Sequence, residues 1–225
     1  MFGQIAPTEY DLRFSLFGIP IRVHPIFWLT SAVLAWDRNA GDLQKTLIRM
    51  LCIFVAILVH ELGHALVTRR FGWNSEIVLY FFGGYATSMR HSTWKDIAVS
   101  AAGPGAGFLL FFTFLTIPLT MSHLSWLNNK LVSDAISFSL IINLVWSIFN
   151  LAPVLPLDGG QISRELCCWF SPRNGLKACA IISLVTAGCF ALLGLYFGQP
   201  FVAMMFAYLA FQSYQSLPSM RRRYW

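Results

Sequence analysis

Residues 51–58 read Leu-Cys-Ile-Phe-Val-Ala-Ile-Leu, a run without a single charge, and the chain continues directly into Val59-His60-Glu61-Leu62-Gly63-His64-Ala65. On a helix, positions four apart lie one above the other on the same face. His60 and His64 therefore present two imidazoles together, with Glu61 beside them. Two histidines so spaced can bind one zinc ion, and the intervening glutamate can act as general base on the metal's water. Five residues with three fixed recur by chance, so the pattern alone is a weak signal. Its setting strengthens it. Two imidazoles and a carboxylate stranded in an apolar segment without partners are costly, and ionisable groups in such segments usually serve a function.

Composition agrees with a membrane setting. The chain has 225 residues, of which 56% are hydrophobic and 12% charged, against about 25% charged in soluble domains. A formal charge of +6 is too sparse for a nucleic-acid footprint, and no nucleic-acid partner is expected. Basic residues instead flank apolar runs, as Arg69-Arg70 and Arg221-Arg222-Arg223 do. The five cysteines show no disulfide spacing and read as small buried hydrophobes. The N-terminus lacks the short apolar run and cleavage site of a signal peptide, so it is expected to stay uncleaved.

The expected fold class is an all-α polytopic membrane protein of about six transmembrane helices, with a short membrane-associated β-hairpin between the second and third. Residues 1–24 are expected to form an N-terminal interfacial arm, residues 25–216 a six-helix transmembrane domain with its functional core at about 44–165, and residues 217–225 a basic cytoplasmic tail. The spans fall at about 25–37, 44–69, 97–121, 134–152, 176–197 and 200–216. The first is short for a span of ~20 residues and is expected to recruit part of the chain before Pro25 or to sit where the bilayer is thin. His24 reads as an interface anchor rather than a ligand. Residues 77–87 are β-branched and aromatic around Gly83-Gly84, a hairpin signal. Strand edges are not tolerated in lipid, so this hairpin must be buried in protein or line a wet cavity. Gly103 and Gly107, four apart at the start of the third span, suit close packing against the motif-bearing helix.

Six spans place both termini on one side. With the termini inside, twelve of the Lys and Arg residues lie inside and four, Arg38, Lys45, Arg49 and Lys130, outside, which the positive-inside rule favours. This topology puts His60-Glu61-x-x-His64 within the bilayer towards the cytoplasmic side, at the depth of the segment after span four. That segment, Asn150-Leu151-Ala152-Pro153-Val154-Leu155-Pro156-Leu157-Asp158-Gly159-Gly160, is broken by two prolines and two glycines. A catalytic zinc takes three protein ligands. Asp158 is the leading candidate for the third; Glu76 and Asp96 lie at expected surface positions, and Asp134 and His123 on the other side. Asn150 could hold the substrate backbone or help an oxyanion, or cap its own helix.

His60-Glu61-Leu62-Gly63-His64 together with Asn150-x-x-Pro153-x-x-Pro156-Leu157-Asp158-Gly159-Gly160 resembles the site-2 protease family of intramembrane zinc metalloproteases, peptidase family M50. The likeness covers roughly residues 50–165 and includes Phe82-Gly83-Gly84 and Ala102-Gly103-Pro104. It implies one Zn2+ held by His60, His64 and Asp158, with Glu61 as catalytic base. It also implies hydrolysis of a peptide bond in or next to the transmembrane helix of a membrane-anchored substrate, as in regulated intramembrane proteolysis. The chain departs from some relatives in having no room for a PDZ domain, in ending without a CBS domain, and in carrying Gly107 where many have asparagine. It looks most like the sporulation-type branch reduced to its membrane core.

A helical substrate must unwind before cleavage, because its carbonyls are bonded internally. Phe82, Gly84 and Tyr85 of the hairpin, with Asn150 and Pro153, are the expected substrate-binding residues, the hairpin receiving an unwound strand by edge pairing. Expected partners are a membrane-anchored protein substrate, the lipid bilayer and a regulatory membrane protein. Two other readings compete. A catalytically silent scaffold for transmembrane partners has no need of Glu61. A metal transporter would need further polar residues through spans five and six, which hold few.

Overall fold

The computed structural model describes residues 6–36, 42–80, 83–86, 92–120 and 129–221. Among these the order is β1 (Leu12–Leu16), β2 (Ile19–Val23), α1 (Pro25–Ala35), α2 (Leu43–Arg70), β3 (Ile77–Tyr80), β4 (Gly83–Ala86), α3 (Thr93–Thr120), α4 (Lys130–Asn150), α5 (Asp158–Phe170), α6 (Gly175–Tyr196) and α7 (Pro200–Arg221). Four of the described helices, α2, α3, α4 and α6, are long and apolar enough to cross a membrane; α1 is apolar but only 11 residues long. The protein is a multi-pass membrane protein, mostly helical with a small sheet. Five of the six expected spans coincide with helices of 21 residues or more.

The chain divides into two compact units, residues 1–89 with 102–147, and residues 90–101 with 148–225. The first holds the sheet. Its strands are ordered β1-β2-β3-β4, and only half of it was foreseen. The expected hairpin is β3–β4, paired antiparallel from Ile77 opposite Ala86 to Tyr80 opposite Gly83. The N-terminal arm is itself a hairpin, β1–β2, closed by Phe17 and Gly18 at φ 51° and 73°, two positive values in succession as a tight hairpin turn needs. Arg69 donates to the Phe17 carbonyl at 2.7 Å, tying this turn to the end of α2. β2 and β3 then pair in parallel, with α1 and α2 as the crossover between them.

This arrangement decides an alternative left open for the first span. The chain before Pro25 does not lengthen the first span; it is β2. His24 is buried, its Nδ1 accepts the Ile26 amide at 3.2 Å as the cap of α1, and its ring meets Tyr80 edge-on. It is therefore a structural cap and not a headgroup anchor. Sequence alternation along β2 puts Ile19, Ile21 and Val23 on one face, where they join Ile77 and Leu79 against Phe27 of α1 and Ile53, Ile57, Leu62 and Ala65 of α2.

In the second unit α5, α6 and α7 follow one another. α5 was not foreseen as a helix, although Pro156 and Asp158 at its start and Pro172 beyond its end are ordinary boundary signals. Trp94, Trp169 and Phe170 form an exposed aromatic cluster on this unit. Val154, Ala187 and Phe206 form its buried centre.

Candidate active site

α2 is built to carry a motif near its C-terminal end. Asp42 caps it, accepting the amides of Gln44 and Lys45, and Arg69 and Arg70 occupy its last turn, where cations meet the negative end of the helix dipole. Between these ends the helix is unbroken, so the i, i+4 geometry expected of His60 and His64 is realised. His60, Glu61 and His64 are all buried, at 2%, 5% and 8% exposure. The two Nε2 atoms lie 3.2 Å apart.

That distance has two chemical readings. Either one Nε2–H donates to the other ring, or both lone pairs converge on a cation. Zinc binds histidine nitrogen at about 2.0–2.1 Å, so two imidazoles at tetrahedral angles place their nitrogens roughly 3.3 Å apart. The observed spacing fits a shared zinc. The two rings meet edge-on, at 80°.

Glycine placement explains why this helix face can be so crowded. A Cβ on Gly63 would run into the Ala102 carbonyl of α3, and a Cβ on Gly103 would run into the His64 imidazole. α3 therefore meets α2 backbone to backbone beside the motif, and Gly103 leaves the hollow that the His64 ring fills. The expected Gly103/Gly107 packing holds for Gly103 only. Gly107 faces α4, where an added Cβ would meet the Ser147 hydroxyl. His60 also has the Trp146 ring of α4 beside it, 6.5 Å between centroids. The carbonyl of His64 accepts the Thr68 hydroxyl at 2.8 Å.

In the second unit, α4 ends at Asn150 and its last turn is closed by backbone bonds from Leu151 to Ile148 and Ala152 to Phe149, both 3.1 Å. Asn150 and Pro153 are half-buried. The chain doubles back over residues 151–157 and enters α5 at Asp158, whose half-buried carboxylate stands in that helix's first turn. Cβ atoms on Gly159 and Gly160 would strike the backbone of Leu151 and of Val154. Both glycines are needed for α5 to start beneath the loop it follows. The Leu155 amide donates to Ser183 Oγ at 3.2 Å and the Cys179 thiol points to the Gly160 carbonyl at 3.8 Å, so α6 holds the loop from the other side.

The other expected residues are placed as follows. Gly84 and Tyr85 lie on β4, opposite Leu79 and Val78; Phe82 falls outside the described residues, as does His123. Asp134, weighed as an alternative ligand, is engaged by Arg49 and Lys45. Cysteine burial is mixed: Cys179 is buried, Cys52, Cys167 and Cys168 are half-buried, and Cys189 is exposed.

Comparison with known proteins follows the same residues. The model of peptidase family M50 matches residues 48–134. A Synechocystis sp. protein named as a zinc metalloprotease is 33% identical over 188 residues, 77% of this chain and 48% of its own length. A zinc metalloprotease of Methanocaldococcus jannaschii is 29% identical over 84% of this chain and 54% of its own. Stage IV sporulation protein FB of Bacillus subtilis is 28% identical over 78% and 56%. This chain thus spans about half the length of the curated relatives it matches. Among solved structures, the site-2 protease from Methanocaldococcus jannaschii aligns with a TM-score of 0.64 and 25% identity, covering 92% of this chain and 95% of that one. With the histidine pair set at zinc spacing on α2 and the likeness running through the helices on either side of it, the chain belongs to peptidase family M50.

Proposed function

We propose that the protein is an intramembrane zinc endopeptidase that hydrolyses a peptide bond in or beside the transmembrane helix of a membrane-anchored substrate. The observation that carries this reading is the pair of buried imidazoles at zinc spacing with Glu61 next to them, inside a helix apolar enough to span a membrane. His60, His64 and Asp158 would hold the ion; two imidazoles and a carboxylate are a donor set suited to zinc. Zinc supplies Lewis acidity, acidifying water and polarising the scissile carbonyl.

The chain's own residues do the rest. Glu61 accepts a proton from the attacking water on its carboxylate and returns it to the leaving amine nitrogen. A general base so placed contributes about 10²–10⁴-fold. Gly103 keeps the His64 ring in its hollow, fixing the direction of Nε2. β4 ends the described strand order, so one of its edges has no described partner strand, and an unwound substrate could add to it at Gly84 and Tyr85. Asn150 and Pro153 would also hold substrate. The distribution of Lys and Arg supports both termini facing the cytoplasm.

Cleavage of a fluorescent transmembrane substrate by wild type and Glu61→Gln, with zinc content measured in parallel, tests the mechanism. The variant should retain zinc and lose at least about 100-fold in rate; equal rates would sink the role of Glu61. Tyr85→Pro should lose cleavage while keeping zinc, and unchanged cleavage would remove β4 from the substrate path.

A further inference from the structure

Two polar side chains of α4 are enclosed within the first unit. Asn143 is 2% exposed and Ser147 0%, in a helix long and apolar enough to span a membrane. They stand four residues apart and so share a helix face. That face meets α3 at Gly107, where an added Cβ would run into the Ser147 hydroxyl and lie 3.8 Å from the Asn143 carbonyl oxygen. Between the two in sequence is Trp146, whose ring stands beside His60. The pair therefore belongs to the wall of the histidine site.

Each side chain keeps one polar atom without a hydrogen bond among the described residues, Asn143 Oδ1 and Ser147 Oγ. The amide is oriented by its other half. Asn143 Nδ2 donates to the Ser139 carbonyl at 2.7 Å, and a carbonyl only accepts, so Oδ1 is the atom left over. Buried helical hydroxyls elsewhere, those of Thr46, Thr68 and Ser213, donate to the carbonyl four residues back. Ser147 forgoes that bond, which leaves its O–H directed elsewhere. An unpaired buried group lowers the folded population roughly 5- to 150-fold, and a membrane interior has no bulk water to relieve it.

We infer that Asn143 Oδ1 and Ser147 Oγ together bind one ordered water. The ligand must donate to Oδ1, and it must pair with a hydroxyl that both donates and accepts; water does both. Spacing suits it. Side chains four apart on a helix have Cβ atoms about 5–6 Å apart, and two oxygens bonded to one water at about 2.8 Å and a tetrahedral angle stand roughly 4.6 Å apart. Buried waters take about two to four such partners. A hard cation wants about six oxygens, and this pair offers two. The water would pin α4 where it passes Gly107 and His60.

A crystal structure of the full chain that orders internal waters tests this. It should show one peak at about 2.7–3.2 Å from both atoms, and the peak should vanish in Ser147→Ala. A double-mutant cycle in detergent gives a second reading. Ser147→Ala should lower the unfolding midpoint by at least about 2 °C. In the Asn143→Leu background the same change should shift it less than half as far, because the water is already lost; a packing defect at Gly107 would cost the same in both backgrounds. If Asn143→Leu does not fold, the peak and the single variant decide. Absence of the peak, a Ser147 hydroxyl found donating to the Asn143 carbonyl, a midpoint unchanged or raised by Ser147→Ala, or additive shifts overturns the proposal.

Discussion

Two regions of this molecule carry the proposed metal ligands, and they are built by opposite means. His60 and His64 ride on one unbroken 28-residue helix, where spacing alone puts both rings on one face. Asp158 stands where a helix has ended, the chain has folded back and another helix begins, and its position depends on Gly159 and Gly160 having no side chains. The first arrangement is rigid because the backbone ladder is continuous. The second is rigid because neighbouring backbone leaves no room for anything else. Damage to the first should appear in the side chains, and damage to the second in the fold of the segment itself.

The largest effect should come from the helix. His60→Ala removes a donor outright, and zinc measured by mass spectrometry should fall from about one per chain towards none, while α2 stays helical because alanine is the best helix former. Retained zinc would mean that the two imidazoles are not ligands. Gly103→Ala and Gly159→Ala sharpen the contrast. The first methyl meets the His64 ring, which can turn aside, so zinc affinity and cleavage should drop, the latter by about 100-fold for a ring displaced by ~1 Å, with little change in unfolding midpoint. The second meets backbone, and overpacking there should cost about 1–3 kcal/mol of stability. Gly105→Ala, with nothing within 4 Å, is the control and should stay within about 0.5 kcal/mol. If Gly103→Ala proved as destabilising as Gly159→Ala, the distinction between the regions would fail.

Ser183→Ala probes the loop more gently. It deprives the Leu155 amide of its acceptor, at a cost of about 1–3 kcal/mol, read as a lower unfolding midpoint with zinc retained. The smallest effect lies far from both regions. Burial would raise the Asp11 pKa, but hydrogen bonds from Thr8 and Arg22 outweigh it and hold the group down to about 2. A depressed carboxylate stabilises the folded state above its unfolded pKa of ~3.9. That contribution should fade as pH falls from about 4 through 2, and Asp11→Asn should remove this part of the acid sensitivity; an unchanged acid profile would mean that Asp11 is not bound this way.

Much of the candidate site was legible because helical spacing is a local property. The histidine pair, the helix around it and the β3–β4 hairpin follow from residues within a few positions of one another. The β1–β2 hairpin was missed because its strands are short and its turn, Phe17-Gly18, lacks the usual Asn-Gly signature. α5 was missed because Arg164, with Arg173 and Lys177 beyond it, makes the stretch before α6 read as a hydrophilic connection.

The sequence by itself determined the long apolar helices, the helix face shared by His60 and His64, and the breaks at Pro153 and Pro156, since each depends on local periodicity or on a residue's own backbone limits. The tertiary structure alone decided that β2 joins β3 in parallel, that His24 caps α1, that the His64 ring fills the hollow at Gly103 and that Gly107 turns to α4. Those outcomes depend on which backbone lies opposite which side chain, and close packing between distant segments leaves no trace in the spacing of either one.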